Sequence, residues 1–199
     1  PGRGCPRPHP NSTIVPDGTV LDTGGTAGAG HNNPDAPVLA AELWNPANET
    51  WTTMASAAVP RLYHSSALLL PDGRVAVTGG ERDSRNLVYD VEYFSPPYLF
   101  KGDRPAMTGV PGQVTYGQRF AVQSAQPERI ARVTLIRLSS VTHAFNMDQR
   151  FNVLPFTPTA GGLSITAPAN ANLAPPGFYM LFLLNANGVP SVGSIVQLR

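Results

Sequence analysis

Cysteine is nearly absent. The 199 residues contain one, Cys5, so no disulfide can form within the chain and cysteine usage says little about the redox compartment. Charge is scarce as well: Asp, Glu, Lys and Arg make up 14% of the chain, against roughly 25% in an average globular domain. The formal net charge is +1, so there is no basic excess to grip a phosphate backbone, and composition argues against nucleic acid as a partner. There is no acidic tail or charge block. No apolar run approaches the roughly 18 residues of a membrane span, and the longest, 178–184, is strand-sized. Glycine at every third position, which collagen requires, is missing. A net charge near zero with 42% hydrophobic residues argues against disorder. No stretch carries a convincing helical period. The chain begins at Pro1 without an initiator Met or a signal sequence, which leads us to expect a processed or truncated piece of something longer.

Turn formers are abundant instead. There are 19 Gly and 21 Pro, about a fifth of the chain, against roughly 12% in average usage. With many Val, Thr, Leu and Ile between them, they predict an all-β protein. An internal repeat organises the first half. Residues 12–25 read STIVPDGTVLDTGG and residues 66–80 read SALLLPDGRVAVTGG. The Pro-Asp-Gly turns start at Pro16 and Pro71, 55 residues apart. A second pair, AELWNP at 41–46 and VEYFSP at 91–96, follows at an offset of 50. Asp-Gly supplies a tight hairpin turn, and Gly-Gly ends a strand where the backbone must bend or approach closely. A period of about 50 with these signatures reads as kelch-type propeller blades. Two repeats cannot close a ring, so residues 1–100 are expected to be the last blades of a larger propeller.

The composition shifts near residue 100. Pro96, Pro97, Lys101, Gly102, Asp103, Arg104 and Pro105 read as a polar, Pro-rich linker. Strand-like runs follow at Arg119–Gln123, 131–138, 150–154, Gly162–Thr166, Gly177–Asn185 and 191–198. Residues 131–138 alternate, with Val133 and Leu135 on one face, whereas 178–184 is continuously apolar, as a strand covered on both faces would be. Asn187-Gly188 predicts the last hairpin turn. Six or seven short strands in residues 101–199 fit an immunoglobulin-like β-sandwich.

Two positions carry chemistry at strand ends, where loops on a rigid scaffold build sites. Tyr63-His64 precedes a predicted strand, and His143 follows one. Adjacent residues on a flat strand point to opposite faces, so Tyr63 and His64 can share one ion only if the chain bends there; Pro60 is consistent with a bend. His9 stands before its repeat's first strand much as His64 does; a structural role is expected for it, with a place in a central channel near the site as the other reading. His31, in a Gly/Asn loop, is expected to face solvent, Cys5 to be an incidental thiol, and Trp44 and Trp51 to serve packing. Asn11-Ser12-Thr13 and Asn48-Glu49-Thr50 are short glycosylation sequons of a kind that arises often by chance.

Four stretches in order carry a resemblance: RLYHSSALLLPDGRV (61–75), YFSPPYLF (93–100), LIRLSSVTHAFNMDQR (135–150) and APPGFYMLFLLNANGVPSV (174–192). Together they resemble the C-terminal part of the galactose oxidase and glyoxal oxidase family, the copper-radical oxidases. The resemblance runs from about His9 to the end. It implies an extracellular enzyme that oxidises a primary alcohol, aldehyde or sugar with O2 and gives H2O2. It further implies copper held by Tyr63, His64 and His143, with Tyr63 axial and accepting the substrate hydroxyl proton. The family's remaining ligand, a Tyr thioether-bonded to a Cys, has no match here and is expected upstream. The missing blades would come from the parent chain or from another chain. Asp148-Gln149-Arg150 is expected to brace the His143 loop. Imidazole and oxygen donors in a tetragonal set suit Cu(II), and a phenol with a pKa near 10 can lose its proton to ligate beside a metal charge. The other reading is a non-catalytic carbohydrate- or protein-binding module, because propellers and immunoglobulin-like domains host many functions.

Overall fold

The computed structural model describes residues 4, 6–30, 32–83 and 86–199; the expectations for Cys5 and His31 lie outside the described residues. The chain is all-β and divides into two compact units. The first comprises Pro1–Leu69, Arg74–Phe94 and Ser139–Met147, and the second Leu70–Gly73, Ser95–Leu138 and Asp148–Arg199. Among the described residues no helix is long and apolar enough to cross a membrane.

In the first unit the sequence repeat becomes a structural repeat. Strands β1 (Asn11–Ile14), β2 (Val20–Thr23), β3 (Ala40–Asn45) and β4 (Thr50–Ser56) form one antiparallel sheet in that order. Strands β5 (Ser65–Leu69) and β6 (Val75–Gly79), then a short hairpin β7 (Glu81–Asp83)–β8 (Asn86–Leu87), lead to β9 (Val91–Phe94), and the sheet order is β5-β6-β9. The turn chemistry acts as its residues dictate. Gly18 has φ 87° and donates its N–H to the Val15 carbonyl; Gly73 has φ 82° and bonds to Leu70 in the same way. Alternation along β5 and β6 puts Ala67, Leu69, Val75 and Val77 inside. The first Gly of the Gly-Gly pair is needed twice over at Gly24: its φ is 69°, and a Cβ there would stand 2.5 Å from the Arg61 carbonyl oxygen. Trp44 and Trp51 face each other across β3 and β4, ring centroids 6.3 Å apart, and so pack the sheet as expected.

The repeat also contains an ion pair that hydrophobic patterning does not reveal. The Arg7 guanidinium meets the Glu42 carboxylate at 2.8 Å with both side chains at most 1% exposed, and Arg7 Nη1 donates to the Gly24 carbonyl. Arg61 repeats this with Glu92 at 3.3 Å and the Gly79 carbonyl. The second carboxylate oxygen of each Glu accepts a backbone N–H three residues before the Arg, from Gly4 and from Ala58. Each pair thus ties the entering loop to the third strand and to the Gly-Gly bend. Of the two sequons, Asn11 is buried with its amide donating to Ser65 Oγ, whereas Asn48 is exposed.

The second unit is a two-sheet, immunoglobulin-like sandwich. It is built from β10 (Gln113–Val114), β11 (Arg119–Gln123) and β12 (Ile130–Arg137), followed, after an excursion that forms β13 (Val141–Thr142) and β14 (Phe145–Asn146) within the first unit, by β15 (Phe151–Val153), β16 (Phe156–Thr159), β17 (Gly162–Thr166), β18 (Gly177–Asn185) and β19 (Ser194–Leu198). One sheet has the order β10-β19-β18-β12-β15 and the other β11-β17-β16. Val133, Leu135, Tyr179, Leu181, Leu183 and Val196 of the first meet Phe120, Val122, Leu163 and Ile165 of the second in one core. Burying a side chain of this size contributes about 1.5–3 kcal/mol, so this core dominates the unit's stability. Strand β12 departs from the expected alternation: Thr134 and Ile136, on its other face, are also buried. The chain changes sheets at Leu154-Pro155, where Pro155 has no N–H to continue the ladder. The expected linker is pinned. Tyr98 is buried and donates to the Gly73 carbonyl, and Arg104 donates to the carbonyls of Asp72, Pro190 and Ser191. Burial pushes the Arg104 guanidinium below its ordinary value.

Tyr179 gives this sandwich an alkaline limit. Its ring is fully buried, its hydroxyl donates to the Pro175 carbonyl at 2.6 Å, and burial raises its pKa above the ordinary 10.0 against the opposing charge of Arg137. Above that ordinary value the unfolded chain releases the proton while the folded chain keeps it, so stability falls as pH rises. The urea midpoint is expected to stay level from neutrality to about pH 9 and to drop above about pH 10. Tyr179→Phe is expected to lose about 1 kcal/mol at neutral pH with the missing hydrogen bond, and to flatten the alkaline drop.

Candidate functional site

The first unit gathers Tyr63, His64 and His143, and the backbone explains how. The Ser65 N–H bonds the Leu62 carbonyl at 3.1 Å, closing a turn with Tyr63 and His64 at its centre. His64 has φ 65°, a left-handed conformation that this turn position reserves for Gly or Asn. The bend that two neighbouring ligands need is therefore made at His64 itself. The Tyr63 and His64 rings lie 4.1 Å apart at 31°. His143 arrives on the β13–β14 hairpin, whose two central residues, His143 and Ala144, have φ 55° and 58°. Two positive φ values define the mirror-image turn that normally takes Asn-Gly. Its ring stands 4.7 Å from His64 and 5.6 Å from Tyr63.

His9 joins them, its ring centroid 5.2 Å from that of Tyr63 in an edge-on arrangement, and its φ is 57°. Thus among the described residues four of the five non-glycine positive φ values fall in this one cluster, the fifth being Glu49. Such conformations cost about 1–2 kcal/mol each and persist where the surroundings enforce them, typically at functional sites. The repeat shows where Tyr63 came from. The paired arginines are 54 residues apart and the left-handed histidines 55, so the second repeat carries one more residue between Arg and His. Tyr63 occupies that extra length.

The imidazoles are oriented through Nδ1. Glu81 Oε1 lies 2.7 Å from His64 Nδ1, and Thr142 Oγ1 lies 2.6 Å from His143 Nδ1. A carboxylate only accepts, so a neutral His64 carries its hydrogen on Nδ1 and its lone pair on Nε2, whereas the Thr142 hydroxyl, which can donate or accept, fixes the place of the His143 ring and not its tautomer. Asn32 links the remaining parts. Its Nδ2 donates to Glu81 Oε2 at 3.1 Å, and its Oδ1 accepts the Tyr63 N–H at 3.1 Å. The hairpin loop is closed by Asn146, which donates to Ser139 Oγ and accepts the Ser140 N–H. Asp148 lies 3.9 Å from Arg137, and Arg150 donates to the Gln149 carbonyl. The sequence reading named neither Asn32 nor Glu81; the one signal for Glu81 is its place directly after the second Gly-Gly. Among the described residues no three His, Cys, Asp or Glu side chains form a cation-holding group, so the constellation at His64 and His143 depends on the phenol. The His64 side chain is 44% exposed, which leaves the cluster open to a ligand.

Comparison with known proteins bears on the family. Residues 5–98 match the family described as Glyoxal oxidase N-terminus, and residues 104–198 match Galactose oxidase-like, Early set domain. A galactose oxidase of Gibberella zeae is 34% identical over 195 residues, covering 94% of this chain and 28% of that protein. An aldehyde oxidase of Arabidopsis thaliana is 34% identical over 217 residues, covering 94% of this chain and 35% of its own length. The solved structure of a fungal alcohol oxidase in complex with copper matches with a TM-score of 0.89 at 29% identity, over 98% of this chain and 43% of that one. The chain thus spans less than half the length of each of these relatives. With both units matched, the chain belongs to the galactose oxidase and glyoxal oxidase family, the copper-radical oxidases.

Proposed function

We propose that this chain is the C-terminal part of a secreted copper-radical oxidase, that its first hundred residues are kelch-type blades of a propeller, and that Tyr63, His64 and His143 hold the copper. The observation that carries this reading is the convergence of one phenol and two imidazoles from separate chain segments, each in a strained turn. The donors fit the ion in kind: two imidazoles with Nδ1 engaged, and a phenol oxygen, are a nitrogen–oxygen set suited to Cu(II). Bound copper would supply Lewis acidity and one-electron redox chemistry.

The residues of this chain supply position and proton handling. Glu81 and Thr142 orient the two imidazoles, and Tyr63 Oη accepts the proton of the substrate hydroxyl. A primary alcohol RCH2OH and O2 would become RCHO and H2O2; an aldehyde, with water and O2, would become the acid and H2O2. The second oxidising equivalent would come from a Cys-linked tyrosine elsewhere in the parent protein. To test this, the full-length protein is loaded with copper and assayed for peroxide with galactose, glyoxal and simple primary alcohols. Peroxide with any of these is the expected result; copper bound at the site with no peroxide from any substrate overturns the oxidase reading in favour of a binding module.

A further inference from the structure

We propose that Glu81 and Asn32 act as positioning residues that set the affinity of the site for copper, by fixing the tautomer of His64 and the backbone of Tyr63 together. This rests on the reading that Tyr63, His64 and His143 bind the ion. The geometry is a continuous chain of bonds. His64 Nδ1 meets Glu81 Oε1 at 2.7 Å, Glu81 Oε2 accepts from Asn32 Nδ2 at 3.1 Å, and Asn32 Oδ1 accepts the Tyr63 N–H at 3.1 Å. One carboxylate and one amide thereby hold both members of the Tyr-His pair.

The chemistry follows from what each group can accept. A carboxylate only accepts, so the Nδ1 it faces must carry the hydrogen and the lone pair is confined to Nε2. A neutral imidazole without such a partner divides between tautomers, and the wrong one presents its N–H to the metal. The carboxylate also makes the imidazole a better electron donor. Asn32 prevents Glu81 from rotating away and ties its position to the peptide that carries the phenol. Glu81 is 22% exposed and His64 44%, so water screens the carboxylate's charge, and the directional hydrogen bond to the ring is what remains. His64 also sits at φ 65°, where its backbone alone favours other conformations, and the brace opposes that tendency.

The test uses the full-length protein and titration of Cu(II) against a competing chelator, with the electron paramagnetic resonance spectrum of the bound ion as a second readout. Glu81→Ala is expected to weaken copper binding about 10–100-fold and to alter the nitrogen hyperfine pattern. Glu81→Gln, which keeps the volume and can still accept from Nδ1–H, is expected to recover part of that loss. It also keeps the test decisive should the alanine variant fail to fold. Asn32→Ala is expected to fall between wild type and Glu81→Ala. Copper affinity within twofold of wild type in folded Glu81→Ala or Glu81→Gln, with an unchanged spectrum, overturns the brace. His64→Ala separates the two readings: if it loses copper while the Glu81 variants keep it, the brace alone fails, and if it keeps copper, the metal site itself fails.

Discussion

Changing the His143-Ala144 turn to Asn-Gly is expected to make the protein more stable and, on the proposed copper site, to weaken copper binding by more than about 100-fold. Both central residues of that hairpin have positive φ, at 55° and 58°. Glycine adopts this region freely and asparagine more readily than most side chains, so His143→Asn with Ala144→Gly should relieve about 1–2 kcal/mol of backbone strain. It also removes an imidazole 4.7 Å from His64 and 5.6 Å from Tyr63. If that imidazole is a ligand, copper affinity falls by more than the 10–100-fold typical of losing an outer-shell partner. A structural histidine would give the opposite pairing, with stability lost or unchanged and copper unaffected. Tyr63→Phe supplies the contrast within the site. It is expected to weaken copper binding, because only the two imidazoles then remain, and to lower turnover of the copper-loaded protein by about 10²–10⁴, the loss typical of a missing proton acceptor. The thermal midpoint, a copper titration and peroxide production decide the matter together.

The parts of the fold that local chemistry controls were legible in the sequence. Pro-Asp-Gly and Gly-Gly announce turns that need positive φ, and Gly18, Gly24, Gly73 and Gly79 have it. The runs at Arg119–Gln123, Gly162–Thr166 and Gly177–Asn185 became strands with those same ends. Strand β16 escaped because Phe-Thr-Pro-Thr reads as loop, and only its place at a sheet edge lets Pro158 sit there without a missing ladder bond. The β13–β14 hairpin escaped because His-Ala is not a turn sequence. The same strain hid the site's geometry. Tyr63, His64 and His143 could be named, yet a flat backbone would have sent Tyr63 and His64 to opposite faces, and Pro60 was the visible candidate for a bend that His64 makes. The placing of His9 before a repeat's first strand, as for His64, hints at a position near the site, but a structural role is the commoner one for such a histidine and nothing in its spacing points to a tyrosine 54 residues later. Glu81 and Asn32 were invisible, because their bonds exist only once the Gly-Gly bend and the loop after Gly30 are folded.

Arg7→Met is expected to be the most destabilising single change in the first unit. It leaves the Glu42 carboxylate, about 1% exposed, without its counter-charge, and it leaves the Gly24 carbonyl without the guanidinium donor. Breaking a buried pair from one side costs about 3–5 kcal/mol, because the remaining charge is desolvated and unpaired. Arg61→Met should cost less. Its partner Glu92 is 27% exposed and can be rehydrated, so the loss lies nearer that of a partly screened pair. The double change Arg7→Met with Glu42→Leu is the informative third variant. Removing both charges and filling the volume is often neutral or stabilising by about 1–4 kcal/mol when a pair only bridges itself. Here the pair also holds the Gly4 N–H and the Gly24 carbonyl, so the double variant should recover most of the loss without passing wild type. Urea midpoints measured at constant m-value give the three numbers. A double variant more stable than wild type would mean that the repeated Arg–Glu device specifies the bend without stabilising it; a double variant no better than Arg7→Met would mean that the backbone contacts, and not the charges, dominate.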